Sequence, residues 1–186
     1  MKYSSFFIII ISLFMATLIQ AQSVNINGIK AKNAQVTEKV ELISRKSVIE
    51  ILRVAFHEFY ELLRKAGYLS ALEGANSITV FAPTDQAVEN LKNFIGNEAF
   101  NNIFNNPSTP EAKEKLQKIL QLHIAPNTVM AADIMGMNSI QPYGDRKLRF
   151  STKNGVITIN DSSAVVEADI LGANGVVHAI DAVIMP

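Results

Sequence analysis

A helical period of apolar residues runs through residues 47–66. The stripe consists of Val48, Ile51, Leu52, Ala55, Phe56, Phe59, Leu62 and Leu63. Ser47 and Glu50 have the spacing of a capping box at the start of a helix. Gly67 suits a helix end, because glycine adopts the left-handed conformation of a C-cap without strain. The segment is long for one helix of a globular domain, so we expect two helices with a break near residues 55–58.

A strand that passes directly into a helix occupies residues 78–91. It begins with the β-branched and aromatic run Ile-Thr-Val-Phe, which is typical of a strand. Pro83 ends this strand, because proline has no N–H to donate to a sheet. Thr84 or Asp85 then offers a side-chain oxygen suited to cap the helix that follows.

The next part of the chain is also predicted to be helical. Residues 93–106 are rich in Asn and Phe and indicate short helical turns that pack into the core. Thr109 is a good cap for a further helix, and Pro110 suits its first position. His123 continues the apolar stripe of that helix, and its position favours a hydrogen-bonded core histidine over a metal ligand.

From Pro126 onward the pattern predicts strands. Asn154-Gly155 is a strong signal for a two-residue hairpin, because both positions tolerate positive φ. The last strand is apolar on both faces, which predicts burial on both sides, and His178 lies within it. Such a histidine needs a hydrogen-bond partner, since an unsatisfied buried imidazole costs about 1–3 kcal/mol. The predicted strands are residues 146–151, 156–159, 164–167 and 176–185.

The amino terminus predicts export. Residues 1–21 combine a positive start at Lys2 with an apolar run and a plausible cleavage site, as in a bacterial-type signal peptide. The alternative is an uncleaved membrane anchor, for which the run is short. Residues 22–45 form a polar leader that ends in a weakly alternating pattern typical of an edge strand. Residues 46–186 form one domain. We therefore expect a periplasmic, extracellular or cell-surface protein without stable membrane insertion after signal removal.

Charge and composition exclude several functional classes. The chain has 17 Lys plus Arg and 17 Asp plus Glu, which argues against a nucleic-acid partner. It has no cysteine, so it has neither a disulfide nor a thiolate site for chemistry or metal. None of the common nucleotide-binding, zinc-protease or serine-hydrolase motifs is present. We expect no catalytic residue, no metal and no cofactor, and the oligomeric state is left open.

Two separated segments resemble the signatures of the fasciclin domain family. The first is the strand-Pro-Thr-Asp-helix segment 78–91, and the second is Asn174 to Asp181 with the ending Val-Ile-Met-Pro. Residues 59–74 are similar to the helix pair that precedes the first signature. Leu122-His123 lies where the family usually has Tyr-His, so any role of the tyrosine hydroxyl is lost. The resemblance spans about residues 45–186, which is nearly the whole chain after the predicted signal peptide.

The resemblance implies an α+β fold, a wedge-shaped β-sandwich with helices packed along one side. It also implies adhesion, and in animal relatives two segments have been linked with integrin binding. Their counterparts here are Asp169-Ile170 and Leu122-His123. We therefore expect a module that binds a cell-surface or matrix protein or glycan, with these four residues as its partner-binding candidates. A bacterial chain has no integrin of its own, so the receptor does not carry over.

Four polar residues in the motifs allow two interpretations. Thr84, Asp85, His123 and His178 are expected to form a buried polar network that ties the helical layer to the sheet. The alternative is an acid–base cluster of Asp85 and the two histidines, as in a hydrolase-like enzyme. A third possibility is a secreted carrier of a small ligand, which a closed apolar cavity of several hundred Å³ would favour.

Overall fold

The computed structural model of the protein describes residues 46–186. The predicted signal peptide, the polar leader and its edge strand lie outside the described residues. The helices are α1 Val48–Ala55, α2 His57–Ala66, α3 Leu69–Glu73, α4 Asp85–Ile95, α5 Asn97–Phe100, α6 Pro110–Leu122 and α7 Ala131–Gly136, with a π-helical turn at Asn101–Asn105. The strands are β1 Ile78–Pro83, β2 Ile124–Pro126, β3 Ser139–Ile140, β4 Leu148–Lys153, β5 Val156–Ile159, β6 Ser163–Gly172 and β7 Gly175–Ile180.

The strands form one mixed sheet in the order β2-β1-β7-β6-β5-β4-β3. β1 and β7 are parallel, and every other neighbouring pair is antiparallel. β1 and β7 are buried along their whole lengths and stand next to each other near the middle of the sheet. The two strands that carry the signature motifs are therefore direct neighbours.

Two cores pack on the two faces of these central strands. One lies between the helices α1 to α6 and residues such as Val80 and Val177. The other encloses Phe81 and Ile180 against residues of β4, β5 and α7, including Leu148 and Ile159. Side chains alternate across a strand, so neighbouring residues of β1 serve different cores. This is the predicted α+β arrangement, sandwich-like on one face and helical on the other.

The predicted break in the first helical segment occurs at Phe56. This residue has φ −137° and ψ 58°, and it separates α1 from α2. The predicted capping box is also confirmed: Ser47 N–H donates to a Glu50 carboxylate oxygen at 2.8 Å, and Glu50 N–H donates to Ser47 Oγ at 3.3 Å. Gly67 ends α2 in the left-handed conformation, at φ 80°. Local sequence was sufficient to place these boundaries.

The hairpin prediction is confirmed as well. Asn154 and Gly155 have φ values of 54° and 80° and connect β4 to β5. The next turn uses Asn160 and Asp161, both at positive φ, before β6 begins. Asn and Asp tolerate this region better than other side chains do.

Three predictions for the carboxyl-terminal half were wrong. Residues 131–136 form helix α7 and not a strand, because six residues are too few for a helical period to show. β6 extends from Ser163 to Gly172, beyond the predicted residues 164–167, since bulges disturb its alternation. β7 ends at Ile180, although the apolar pattern continues to residue 185.

Candidate functional site

The two signature segments meet where β1 runs parallel to β7. Their register pairs Phe81 with His178, and the amide of Thr84 donates to the Ile180 carbonyl at 3.0 Å, just past the strand end. A Cβ at Gly175 would collide with the backbone carbonyl oxygen of Ile78. Glycine is therefore required at the start of β7 for the two strands to approach this closely.

His178 is fully buried and uses both ring nitrogens. Nδ1 accepts a hydrogen bond from the amide of Asp169 at 3.2 Å, and Nε2 donates to the carbonyl of Val129 at 2.9 Å. The ring also stacks on Phe81, with centroids 5.6 Å apart. This pattern requires a neutral ring with the proton on Nε2. The expectation that His178 needs a buried partner is thus met by two backbone groups.

His123 is also fully buried and neutral, with the proton on the other nitrogen. Nδ1 lies 2.8 Å from the carbonyl of Ile119, one turn earlier in α6. Nε2 accepts from the amide of Ile184 at 3.0 Å, so it carries no proton. Phe59 of α2 packs against the ring at a centroid distance of 5.3 Å. His123 therefore joins the end of α6 to the segment that follows β7.

Burial sets the proton affinity of both rings. It lowers the pKa of His123 from 6.5 to about 4, against a smaller raising effect of the Ile119 carbonyl. Burial also lowers the pKa of His178, opposed by the Val129 carbonyl and by the charge of Asp169. The Asp169 carboxylate is 3.9 Å from His178 Nδ1. Near neutral pH both imidazoles are held in the uncharged form that their hydrogen bonds demand.

Thr84 and Asp85 cap two different helices. Thr84 Oγ1 accepts from the amide of Ala87 at 3.1 Å and caps α4, so of the two predicted candidates for this cap the structure selects Thr84. Asp85 Oδ1 accepts from the amide of Glu58 at 3.0 Å and so caps the start of α2. The N-cap of α2 is Phe56, which makes no side-chain cap hydrogen bond of its own. Asp85 supplies from another helix the cap that α2 lacks.

The structure does not join these four residues into one network. Each of Thr84, Asp85, His123 and His178 makes hydrogen bonds to backbone groups, and within residues 46–186 no hydrogen bond links two of them. They form separate attachments between the sheet, the helices and the later loops. Neither the expected shared network nor the alternative acid–base cluster corresponds to this arrangement.

Asp169 holds the bulge of β6 against α7. It adopts φ 60°, in the left-handed region, within the second register shift of β6, which lies between Glu167 and Ile170. Its amide donates to His178, and its Oδ1 accepts from the amide of Ala131 at 2.8 Å. The side chain is 36% exposed, so it faces solvent only in part. The residue that resembles an integrin-linked position therefore has a clear structural role in this chain.

The other three partner-binding candidates are less accessible. Leu122 is 2% exposed and His123 is 0% exposed, so neither side chain can contact a partner while the domain is folded. Ile170 is partly buried and packs against the helical core. Of the four candidates, only Asp169 presents a polar group that a partner can reach.

Two motif residues that sequence reasoning did not single out also make key contacts. Thr79 is fully buried in β1; its hydroxyl donates to the Asn127 carbonyl at 2.7 Å and accepts from the amide of Val129 at 2.9 Å. Asn174 accepts from the amide of Val48 at 2.9 Å and donates to carbonyls of Leu72 and Ala75. For Thr79, the sequence feature that could have indicated this role is a polar side chain within an otherwise apolar strand.

One cleft in the described part of the chain is lined by basic residues. It has a volume of about 630 Å³ and lies beside β3, β4 and the β5–β6 turn. In the sequence, only the run Asp145-Arg146-Lys147-Leu148-Arg149 indicates a local cluster of basic residues. The balanced charge of the whole chain does not reveal this cluster. The lining residues are Leu122, Ser139, Arg146, Lys147, Arg149, Asn160, Ser162, Met185 and Pro186.

Within residues 46–186, no group of three or more His, Cys, Asp and Glu side chains is placed to hold a metal ion. No helix in that range has the length and apolar character needed to cross a bilayer.

Comparison with known families matches residues 54–186 to the fasciclin domain. The protein sll1483 of Synechocystis is 31% identical over 160 residues, which cover 82% of this chain and 83% of that protein. The transforming growth factor-beta-induced protein ig-h3 of Sus scrofa is 33% identical over 124 residues, or 67% of this chain. The match spans only 16% of the length of that pig protein.

A solved structure has the same fold. It is a FAS1 domain pair from the insect cell adhesion molecule fasciclin I, with a TM-score of 0.64 and 18% sequence identity. The superposition covers 76% of this chain and 51% of the insect chain.

Proposed function

The chain belongs to the fasciclin domain family, and we propose that it is an exported, non-catalytic adhesion module. In this proposal it recognises a cell-surface or extracellular component, either a matrix protein or a glycan. The name of the insect relative as a cell adhesion molecule supports the proposal. The apolar run of residues 1–21 supports export to the periplasm, the cell surface or the medium.

The state of the two buried histidines is the observation that carries the proposal. All four ring nitrogens are occupied by backbone groups, and both rings are fully buried. A general acid or base must exchange its proton with a substrate within hydrogen-bond reach. Here such an exchange would break a structural hydrogen bond. These motif residues maintain a rigid domain, and recognition is left to its surface.

The two alternative functions have weaker support. An acid–base enzyme of the kind considered above needs Asp85, His123 and His178 in contact with one another. Within residues 46–186 no hydrogen bond joins any two of these three residues. A carrier of apolar ligands needs a closed apolar cavity. The cleft of about 630 Å³ is open, and six of its nine lining residues are charged or polar. Adhesion remains the function that the geometry supports best.

Binding of the intact exported protein to surfaces tests the proposal. The protein would be coupled to beads in many copies, because one weak site gains avidity only through multivalency. The beads would be incubated with matrix proteins, glycans and whole cells. Saturable binding by the folded protein, absent from beads that carry a heat-unfolded sample, is the expected result. A folded protein that binds nothing on this panel contradicts the adhesion proposal.

The variant Asp169→Asn tests whether the exposed carboxylate takes part. Asparagine tolerates the left-handed backbone and keeps a side-chain oxygen for the Ala131 amide, whereas it removes the charge. Loss of adhesion at an unchanged Tm places the contact beside Asp169. Retained adhesion moves the contact to another surface. Asp169→Ala is a poorer choice because it also removes the cap of α7.

A further inference from the structure

Three cations line one cleft, and no Asp or Glu side chain lines it with them. Arg146, Lys147 and Arg149 are exposed lining residues, and the cleft lining contains no Asp or Glu. Within residues 46–186 none of the three takes part in an ion pair. Like charges at such short sequence spacing repel one another, and concave walls concentrate their field. The cleft is therefore a region of positive potential on a chain whose total charge is balanced.

The acidic residue nearest to these cations in the sequence is not part of the cleft lining. Asp145 precedes Arg146 directly, but it does not line the cleft.

Backbone contacts fix the walls of the cleft in advance. The amide of Arg149 donates to Asn160 Oδ1 at 3.0 Å, and the amide of Asn160 donates to the Arg149 carbonyl at 2.9 Å. On the other side, the amide of Gly144 donates to the backbone carbonyl of Gln121 at 3.1 Å. This hydrogen bond holds the loop before Arg146 against the end of α6. A prepared site loses less conformational entropy when a ligand binds.

From this arrangement we propose that the cleft binds an anionic saccharide group, a sugar ring that carries a carboxylate or a sulfate. The guanidinium groups suit either anion because they donate in a planar fork. Ser139, Asn160 and Ser162 provide neutral partners for sugar hydroxyls, and the exposed residues Met185 and Pro186 provide an apolar surface for a ring face. This inference rests on the proposed recognition function, since it assigns the extracellular ligand to a chemical class.

Size and shape favour a saccharide over other anions. A water molecule occupies about 30 Å³ of the liquid, so a cleft of about 630 Å³ is far larger than one phosphate or sulfate ion requires. Its volume is within the range of about 300–1,000 Å³ typical of small-molecule sites. A nucleic-acid site typically has a longer stripe of basic residues on a protein of positive net charge. This chain has equal numbers of basic and acidic residues.

The test measures binding of the full exported protein to soluble probes by calorimetry. The probes are heparin as a sulfated polysaccharide, polygalacturonate as a carboxylated one, neutral dextran, inorganic sulfate, and a single-stranded oligonucleotide. The cleft variant is Arg146→Gln/Lys147→Gln/Arg149→Gln. The matched control, Arg53→Gln/Lys113→Gln/Lys115→Gln, removes three exposed cations that do not line the cleft.

We expect one or both acidic polysaccharides to bind, with affinity that falls as salt is added. The cleft variant should weaken that binding by at least about tenfold, and the control should leave it nearly unchanged. Equal losses in both variants, tighter binding of the oligonucleotide, or sulfate binding as strong as polysaccharide binding would each overturn the proposal. So would the absence of binding to either acidic polysaccharide.

The bead assay separates this proposal from the adhesion function. If the cleft variant adheres to cells and matrix as well as the wild type does, adhesion stands and the cleft assignment is wrong. If the wild type adheres to nothing but binds an acidic polysaccharide through the cleft, the cleft assignment stands and the adhesion function is wrong.

Discussion

Thr79 and His178 hold the same residue from two neighbouring strands. Thr79 Oγ1 accepts from the amide of Val129 at 2.9 Å, and His178 Nε2 donates to the carbonyl of Val129 at 2.9 Å. Both side chains are fully buried, and they lie on the same face of the paired strands β1 and β7. Side chains here satisfy backbone groups that a sheet would otherwise pair. The signature residues thus fix the segment between β2 and α7.

Replacement of His178 by alanine is predicted to destabilise the domain strongly. The change leaves the carbonyl of Val129 and the amide of Asp169 without their partners, at about 1–3 kcal/mol for each buried group. We therefore expect the free energy of unfolding to fall by about 3 kcal/mol or more, measured by urea denaturation. His57→Ala is the control: His57 is exposed, and its loss should change stability by about 0.5 kcal/mol or less. His178→Ala as stable as the wild type would refute the structural role.

At Asp169, alanine and asparagine should have different effects. Asp169→Ala removes the oxygen that accepts from Ala131 and places a poorly tolerated side chain at φ 60°. Loss of a cap costs about 0.5–2 kcal/mol, and left-handed strain adds about 1 kcal/mol. Asp169→Asn keeps an oxygen and tolerates the backbone, so it should lose under about 1 kcal/mol. Thermal unfolding of the two variants side by side gives the answer, and equal Tm values would count against the proposed cap.

Acid should destabilise the domain in a window set by His123. Its pKa is about 4 in the folded chain and 6.5 ordinarily, so the unfolded chain binds a proton at higher pH than the native one. The stability that the neutral ring contributes is complete above pH 6.5 and is lost as the pH falls toward 4. Between pH 6.5 and pH 5 the loss should be about 1.6 kcal/mol, because the slope reaches its full 1.36 kcal/mol per pH unit only where the unfolded ring is protonated and the folded ring is not. His178 has the same sign, since burial lowers its pKa too.

Urea denaturation at several pH values measures this slope. Most exposed carboxylates titrate below pH 5, so they contribute little within the window. His123→Gln should flatten the slope, because glutamine does not titrate. Should that variant not fold, NMR of the wild-type ring is an independent measurement. A His123 imidazole that is protonated at pH 6 would contradict the buried, neutral state.

Gly175 tests the close pairing of β1 with β7. A Cβ at this position meets the carbonyl of Ile78, and backbone cannot move aside as a flexible side chain can. Overpacking of this kind costs about 1–3 kcal/mol, so Gly175→Ala should lower the free energy of unfolding at least that much. Gly136→Ala is the matched control. An added Cβ there meets nothing within 4 Å, and alanine in a helix gains about 0.5–1 kcal/mol over glycine. Similar stability of the two variants would argue against the parallel pairing.

Local patterns predicted the elements whose determinants are close in sequence. The Ser47–Glu50 capping box, the Gly67 helix end and the Asn154-Gly155 hairpin each involve residues within a few positions of one another. Helix α7 was missed because six residues are too few to show a helical period, and the Asp169 carboxylate that accepts from the amide of Ala131 is distant in sequence. The extent of β6 was underestimated for a similar reason, since bulges that contact α7 and His178 break its alternation.

The roles of the candidate-site residues also separate into those set by nearby sequence and those set by distant contacts. The sequence by itself determined that His178 is buried on an apolar strand and that Thr84 or Asp85 caps the helix after β1, because burial and capping follow from local pattern. Only the tertiary structure decided that Asp85 caps a different helix, that the two histidines bind separate backbone groups, and that Leu122 is inaccessible. It also decided that Arg146, Lys147 and Arg149 line one cleft. The physical reason is that partner choice and concavity depend on which segments the fold brings together, and hydrophobic periodicity specifies only the face of each element.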